Sequence, residues 1–409
     1  MQMPSLNINL GRRSGADVVG LDIQPGFIAA VQARVNGSIL AERACAAPLP
    51  ADAVRDGEVV DEGSLSEALR ELFAGSGLGK RVRLGLANQR TVLRTLELPP
   101  VTDRKELAAA VSFQAQDQVP MPLNNAVLDF HPLGVIDTPA GPRQRVVLVA
   151  AHRDMIERLL AAVRAAGLRP EGVDLSAFAL IRSLYRSAEE GEGRVLYLNV
   201  DGLTNLAIAE GQVCRFTRVV GSGLEGMAGE IAERRGIAIS EARELLGAVD
   251  LNAVPEEPGV SVPQEPAPQT DGYEQAPGES HALEGQDHEA RELTMSYEEM
   301  AAVDHVPMTP PLSDQDVRAV LESGIRDIAG EVRNSLDFHR SQEGGGDVTR
   351  VVLSGSALDL PGFAEALQGH LHVEVSPETV GLADESLADK VSTHRLAVAA
   401  GLATSEVVR

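Results

Sequence analysis

Residues 18–42 read VVGLDIQPGFIAAVQARVNGSILAE, and residues 195–218 read VLYLNVDGLTNLAIAEGQVCRFTR. Aligned on Asp22 and Asn199, both run as an apolar strand, an acid or amide, a tight turn and a second strand. A glycine turn (Asn36-Gly37, Glu210-Gly211) and a third strand follow. Aliphatic and β-branched runs bounded by Gly, Asn and Pro are the pattern of strands and hairpins. A β-meander repeated at the head of each half predicts two similar domains facing each other.

Working outward, strands are expected at Val18–Ile23, Phe27–Val35, Val82–Ala87, Val92–Leu98, Val127–Val135, Arg145–Ala151, Val195–Val200, Thr204–Glu210, Gln212–Val219 and Arg350–Leu353. Helices alternate with them. Ser64 with Glu67, and Asp103 with Glu106, read as capping boxes before apolar stripes. Met155 to Ala166 carries Ile156, Leu159, Leu160 and Val163 and stops at Gly167. A long helix is expected after Ser313, with Val317, Val320, Leu321, Gly324, Ile325, Ile328 and Val332 on one face. The fold class is α/β.

The length, 409 residues, suggests two or three domains. Tryptophan is absent and aromatics make up 3%, so Ala, Val, Leu and Ile must build the core. A formal net charge of −24 excludes a broad nucleic-acid surface and disfavours direct adhesion to anionic lipid. No signal peptide or membrane-length apolar run is read. Cys45 and Cys214 lack metal spacing and fit a reduced, cytoplasmic compartment. His370 and His372 read as surface residues rather than a metal pair. From Pro255 to Asp316 there are 15 acidic residues against Arg291 alone. Low hydrophobicity with one sign of charge predicts a disordered acidic loop there.

The duplicated meander resembles the actin, Hsp70 and hexokinase superfamily, whose two domains clamp a nucleotide between two such hairpins. The nearer likeness is to its FtsA-like branch, the PilM-type pilus assembly proteins. The carriers are VVGLDIQPGFIAAVQ, LELPPVTDRKELAAAVSFQAQDQVPMPLNNAVLDFHPLG, RVVLVAAHRDMIERLLAAVRAAGLRPEGVDLSAFAL, SLDFHRSQ, VVLSGSALDLPGFAEAL and HRLAVAAGLA. The resemblance implies a duplicated actin-like (ribonuclease H-like) fold. Residues 17–43 plus 152–190 would form the first subdomain and 44–151 an inserted small α/β FtsA-type interaction domain. Residues 193–220 plus 343–409 would form the second actin-like subdomain. Residues 221–249 plus 313–342 would form a helical subdomain, and 255–312 the disordered loop.

Against the family pattern the nucleotide loops depart. Phosphate hairpins need small residues, so that backbone N–H groups approach an anion, and a carboxylate for the metal shell. The first loop keeps Asp22 and Gly26, but Gln24 replaces a Gly, Pro25 has no N–H to donate and Phe27 replaces a small residue. In the second, Asn199 holds the acidic position, followed by Asp201, Gly202 and Thr204. The third reads Ser354-Gly355-Ser356. Asp22, Gly26, Asn199, Asp201, Gly202, Thr204, Ser354, Gly355 and Ser356 are the candidate cofactor residues, with no catalytic residue or metal ligand assigned. They would take no cofactor or a weakly bound Mg-ATP, or serve as plain turns. Asp201 in place of Asn199 as the metal residue keeps binding open.

By resemblance the chain is a cytoplasmic scaffold of the type IV pilus inner-membrane platform. It would sit at the inner face of the plasma membrane through partners. It would take the N-terminal peptide of a PilN-like membrane protein in a groove between 17–35 and 103–133, and relate platform proteins to motor ATPases. Residues 6–10, LNINL, look like the core of such a peptide and suggest self-docking. The alternatives are an active actin-like ATPase of pilus assembly or an FtsA-like division protein. A sugar or acetate kinase would need intact loops, and a type II secretion platform protein would continue into a membrane helix.

Overall fold

The computed structural model describes residues 18–186, 193–253, 314–342 and 344–404. The expected self-docking tail and most of the acidic loop lie outside these residues. The first meander comprises β1 (Val18–Gln24), β2 (Phe27–Asn36) and β3 (Ser38–Pro48). A two-residue ribbon, β4 (Val54–Arg55) with β5 (Glu58–Val59), leads into α1 (Glu62–Phe73) and β6 (Arg81–Leu86). Then come β7 (Val92–Leu98), α2 (Arg104–Gln118), β8 (Ala126–Thr138) and β9 (Gly141–His152), which make a separate three-stranded sheet in the order β7-β9-β8. The first half closes with α3 (Arg153–Ala165), β10 (Arg169–Leu175) and α4 (Ser176–Leu184).

The second meander is β11 (Arg194–Val200), β12 (Thr204–Glu210) and β13 (Val213–Val220). It is followed by α5 (Leu224–Arg235), α6 (Ile239–Gly247), α7 (Asp314–Ser341), β14 (Val348–Ser354), α8 (Phe363–Leu371), β15 (Val375–Pro377), β16 (Gly381–Leu382) and α9 (Ala397–Ala403). In each half the meander is antiparallel and continues into two parallel crossover strands. The orders are β3-β2-β1-β6-β10 and β13-β12-β11-β14-β15. The duplication read from the two hairpins therefore extends to five strands in each half. This is the actin-like arrangement.

Sheet pairing moves two expected boundaries. Residues 44–151 were to be one insert, yet β6 pairs in parallel with both β1 and β10. Its Val82, Leu84 and Leu86 are buried, as a central strand requires. Helix α1 puts Leu65, Leu69 and Leu72 into the same core. Only Val92–His152 forms the separate sheet. Likewise 343–409 was assigned whole to the second half, but β16 pairs with β3, and α9 packs on β1 and α4. A Cβ on Gly20 would lie 1.8 Å from the carbonyl oxygen of Ala399, and one on Gly401 1.9 Å from that of Ala179. Only hydrogen fits at either contact.

Helix α1 is capped by Asp61, whose carboxylate accepts from Gly63 N and Ser64 N, so the expected cap at Ser64 shifts by three residues. Asp103 caps α2 through Lys105 N and Glu106 N. The expected stripe of α7 is buried, with Gly324 packed against Met227. Between the halves, α4 and α9 share one apolar cluster with Phe27 and Val31 of the first sheet and with Tyr197 and Ala207 of the second. Among the described residues no helix is long and apolar enough to cross a membrane.

Candidate functional site at the facing hairpins

The first hairpin turns at Pro25-Gly26, with φ of +93° at Gly26, where a side chain would be strained. Gln24 folds back and its Nε2 donates to Asp22 Oδ1 at 3.1 Å. Asp22 is 1% exposed, and its Oδ2 has no hydrogen-bond partner among the described residues. Burial, and then the nearby charge of Asp201, push its carboxyl up to about 7.

The second hairpin turns through Asp201, Gly202 and Leu203. Asp201 N donates to the Leu203 carbonyl at 3.0 Å, and the Asp201 carbonyl accepts from Leu224 N at 2.8 Å. The Asp201 carboxylate is well supplied. Its Oδ2 accepts from Asn199 Nδ2 at 2.7 Å, and its Oδ1 accepts from Ser356 N at 2.6 Å and Ser356 Oγ at 2.7 Å. Burial still raises it, opposed by those donors and by Arg395. Of the two acids, Asp201 is the better held as an anion.

Thr204 Oγ1 donates to the Ser222 carbonyl. Gly355, with φ of +103°, passes so close under β11 that a Cβ would lie 2.4 Å from the Val200 carbonyl oxygen. Ser354 Oγ is buried without a partner among the described residues. The structure thus joins Asn199, Asp201 and Ser356 in one hydrogen-bonded network, with Gly355 close under β11. It sets Asp22 across from that network, with Gly26, Gly202 and Thr204 framing the turns.

The two tips touch. A Cβ on Gly202 would sit 2.0 Å from the Pro25 carbonyl oxygen, so backbone meets backbone across the gap between the halves. Three contacts that sequence reading missed close the rest. Glu225 on α5 and Arg243 on α6 form a half-buried pair, with Arg243 Nε 2.8 Å from Glu225 Oε2, and Gly26 lies against it. Arg243 also donates to the Leu49 carbonyl at 3.3 Å. Arg395 stands 5.2 Å over the Phe27 ring while its Nε donates to Asp359 at 3.2 Å. Asp359 accepts further bonds from Ser392 Oγ and His394 Nδ1 and is held below the usual carboxylate range by them, against its burial. The one sequence signal for this clasp was Phe27, an aromatic at a small-residue position.

Burial pushes the Cys214 thiol up to about 12 and the Cys45 thiol up to about 11, which keeps both as unreactive thiols. Among the described residues no three His, Cys, Asp or Glu side chains are grouped as metal ligands.

The family model described as type IV pilus assembly protein PilM matches residues 20–247. The chain belongs to the PilM family. Over 95% of its length it is also similar to 97% of a chain in the solved structure "PilM-PilN type IV pilus biogenesis complex", at 22% identity and a TM-score of 0.68. Looser likenesses, each with a TM-score of 0.47 over 94% of this chain, are to two further structures. One is the ethanolamine utilization protein EutJ of Carboxydothermus hydrogenoformans, at 14% identity over 88% of that chain. The other is MreB5 of Spiroplasma citri bound to ADP, at 12% identity over 94% of that chain. Within the PilM-family match fall the first meander from Gly20 onward, the second meander, the separate sheet, and the Glu225–Arg243 pair.

Proposed function

We propose that this PilM-family chain is a scaffold of the pilus assembly platform that docks the N-terminal peptide of a PilN-like membrane protein and does not turn over nucleotide. The observation that carries the second half is the contact of the hairpin tips. In the actin-type fold a nucleotide's phosphates lie between two such turns, and here the Gly202 and Pro25 backbones come into contact across that gap. Pro25 offers no N–H, Asn199 brings no charge, and the Asp201 carboxylate is committed to Ser356 and Asn199. These residues do not fit a magnesium-bound triphosphate.

Docking rests on the likeness to the PilM-PilN complex and on the surface of the separate sheet. Phe113 stands 74% exposed on α2 and Val135 59% exposed on the edge strand β8. Large apolar side chains left on a small appended unit suit a protein contact, and an edge strand suits an extended peptide. In this reading the groove lies between 17–35 and 103–133, and the partner holds the chain at the inner face of the membrane. Contacts with motor ATPases belong to the same reading. Titration calorimetry with Mg-ATP is expected to give no saturable heat, and the N-terminal peptide of the PilN-like partner is expected to bind. Micromolar or tighter ATP binding with hydrolysis would overturn the scaffold, and absence of peptide binding would overturn the docking.

A further inference from the structure

A second groove lies away from that surface, between the outer edge of β3 and α1. It has a volume of about 680 Å³, and none of its lining residues comes from the separate sheet. Strand β3 is paired along its inner edge by β2 from Phe27 to Asn36. On the outer edge β16 covers only Leu40 and Ala41, so among the described residues no strand pairs with 42–48 there. The helix runs back along this open stretch. Arg43 donates to the Gly77 carbonyl at 2.8 Å, and Cys45 Sγ lies 3.9 Å from the Leu72 carbonyl oxygen. The seven residues 42–48 span about 20 Å, and α1 runs beside them from Ser64 to Phe73 for about 14 Å.

Beyond Glu42 and Arg43 the residues of this stretch are small. Cys45 and Ala47 pack toward α1, and with Ala68 and Leu72 they make an apolar floor. Glu67 and Glu71 rim it, exposed, one helical turn apart, and outside every ion pair among the described residues. One turn is about 5.4 Å. Alternate side chains of a strand repeat at about 6.6 Å, close enough for two successive inward side chains to reach the two carboxylates. Open strand edges are templates for strand addition, and proteins ordinarily cover or charge them.

We infer that this groove docks an extended segment carrying Lys or Arg at alternate positions, added as a further strand on β3. The backbone of the segment pairs with 42–48, its basic stems lie on the apolar floor, and their charges meet Glu67 and Glu71. A second copy of the chain does not suit the same edge, because it would set these carboxylates against their own duplicates.

The test is fluorescence anisotropy on the full chain with a labelled peptide alternating lysine and valine. Two control peptides accompany it: one alternating glutamate and valine, and the lysine peptide N-methylated at alternate amides. The lysine peptide is expected to bind saturably. N-methylation, or the double variant Glu67→Lys with Glu71→Lys, is expected to weaken it at least about tenfold, and the glutamate peptide is expected not to bind. The peptide controls need no altered protein, so a variant that folds poorly leaves the test standing. No saturable binding, equal binding of the two charge types, indifference to N-methylation, or a neutral charge reversal in a folded variant would each overturn the inference.

Discussion

Replacing Asp22 with asparagine tests the buried acid pair directly. In the folded chain Asp22 titrates near 7, against an ordinary value of 3.8. Between those values the native state keeps a proton that the unfolded chain has released. Stability is therefore fully present below about pH 4, falls as pH rises towards 7, and is flat above. At about 1.36 kcal/mol per pH interval the gap corresponds to a loss of about 4 kcal/mol, a ceiling because Asp201 titrates with it. The substituted amide reproduces the protonated acid in shape: its oxygen still accepts from Gln24, and nothing remains to ionise. Urea unfolding followed by circular dichroism at pH 5, 6, 7 and 8 should show a declining profile for the native chain and a flatter one for Asp22→Asn. The variant should be the more stable protein at pH 8. Repulsion from the chain's net charge affects both and cancels in the difference. Parallel profiles, or a variant less stable at pH 8, would refute the assignment of the proton to Asp22.

Other perturbations probe the clasp. Arg243→Ala leaves Glu225 half-buried and unpaired against Gly26, and should cost about 2–3 kcal/mol in urea unfolding, partly recovered by adding Glu225→Gln. Ser356→Ala removes one of the three donors to Asp201 and should cost about 1–2 kcal/mol by the same measurement. Gly355→Ala combines a φ of +103° with a Cβ 2.4 Å from the Val200 carbonyl oxygen, and should lower the melting temperature by several degrees or abolish soluble expression.

Where a residue's role is set by its neighbours in the chain, the sequence was readable. The two meanders carry their turns and their aliphatic alternation locally, and the stripe of α7 repeats at helical spacing, so these elements could be placed. Strand β10 was not expected, because Pro170 and Gly172 interrupt it where its pairing with β6 slips by one residue. Helix α9 is seven residues, AVAAGLA, buried all round, and so shows no amphipathic period. Asn199 and Asp201 could be compared with Asp22 by alignment alone. Their neighbours could not: Ser356 is 155 residues from Asp201, and Glu225 meets Arg243 across two helices. The insert boundary failed for a related reason, since a strand such as β6 states its own existence but not its partners.

The return of α9 to β1 has a consequence for synthesis of the protein. Positions 397–403 complete a face of the first sheet whose last first-half strand, β10, ends more than 200 residues earlier in the chain. Gly20, Ala29, Val31 and Leu180 share contacts or a cluster with α9, so the first half lacks part of its packing until α9 is made. Closure of this face waits on a helix far along the chain from the strands it covers.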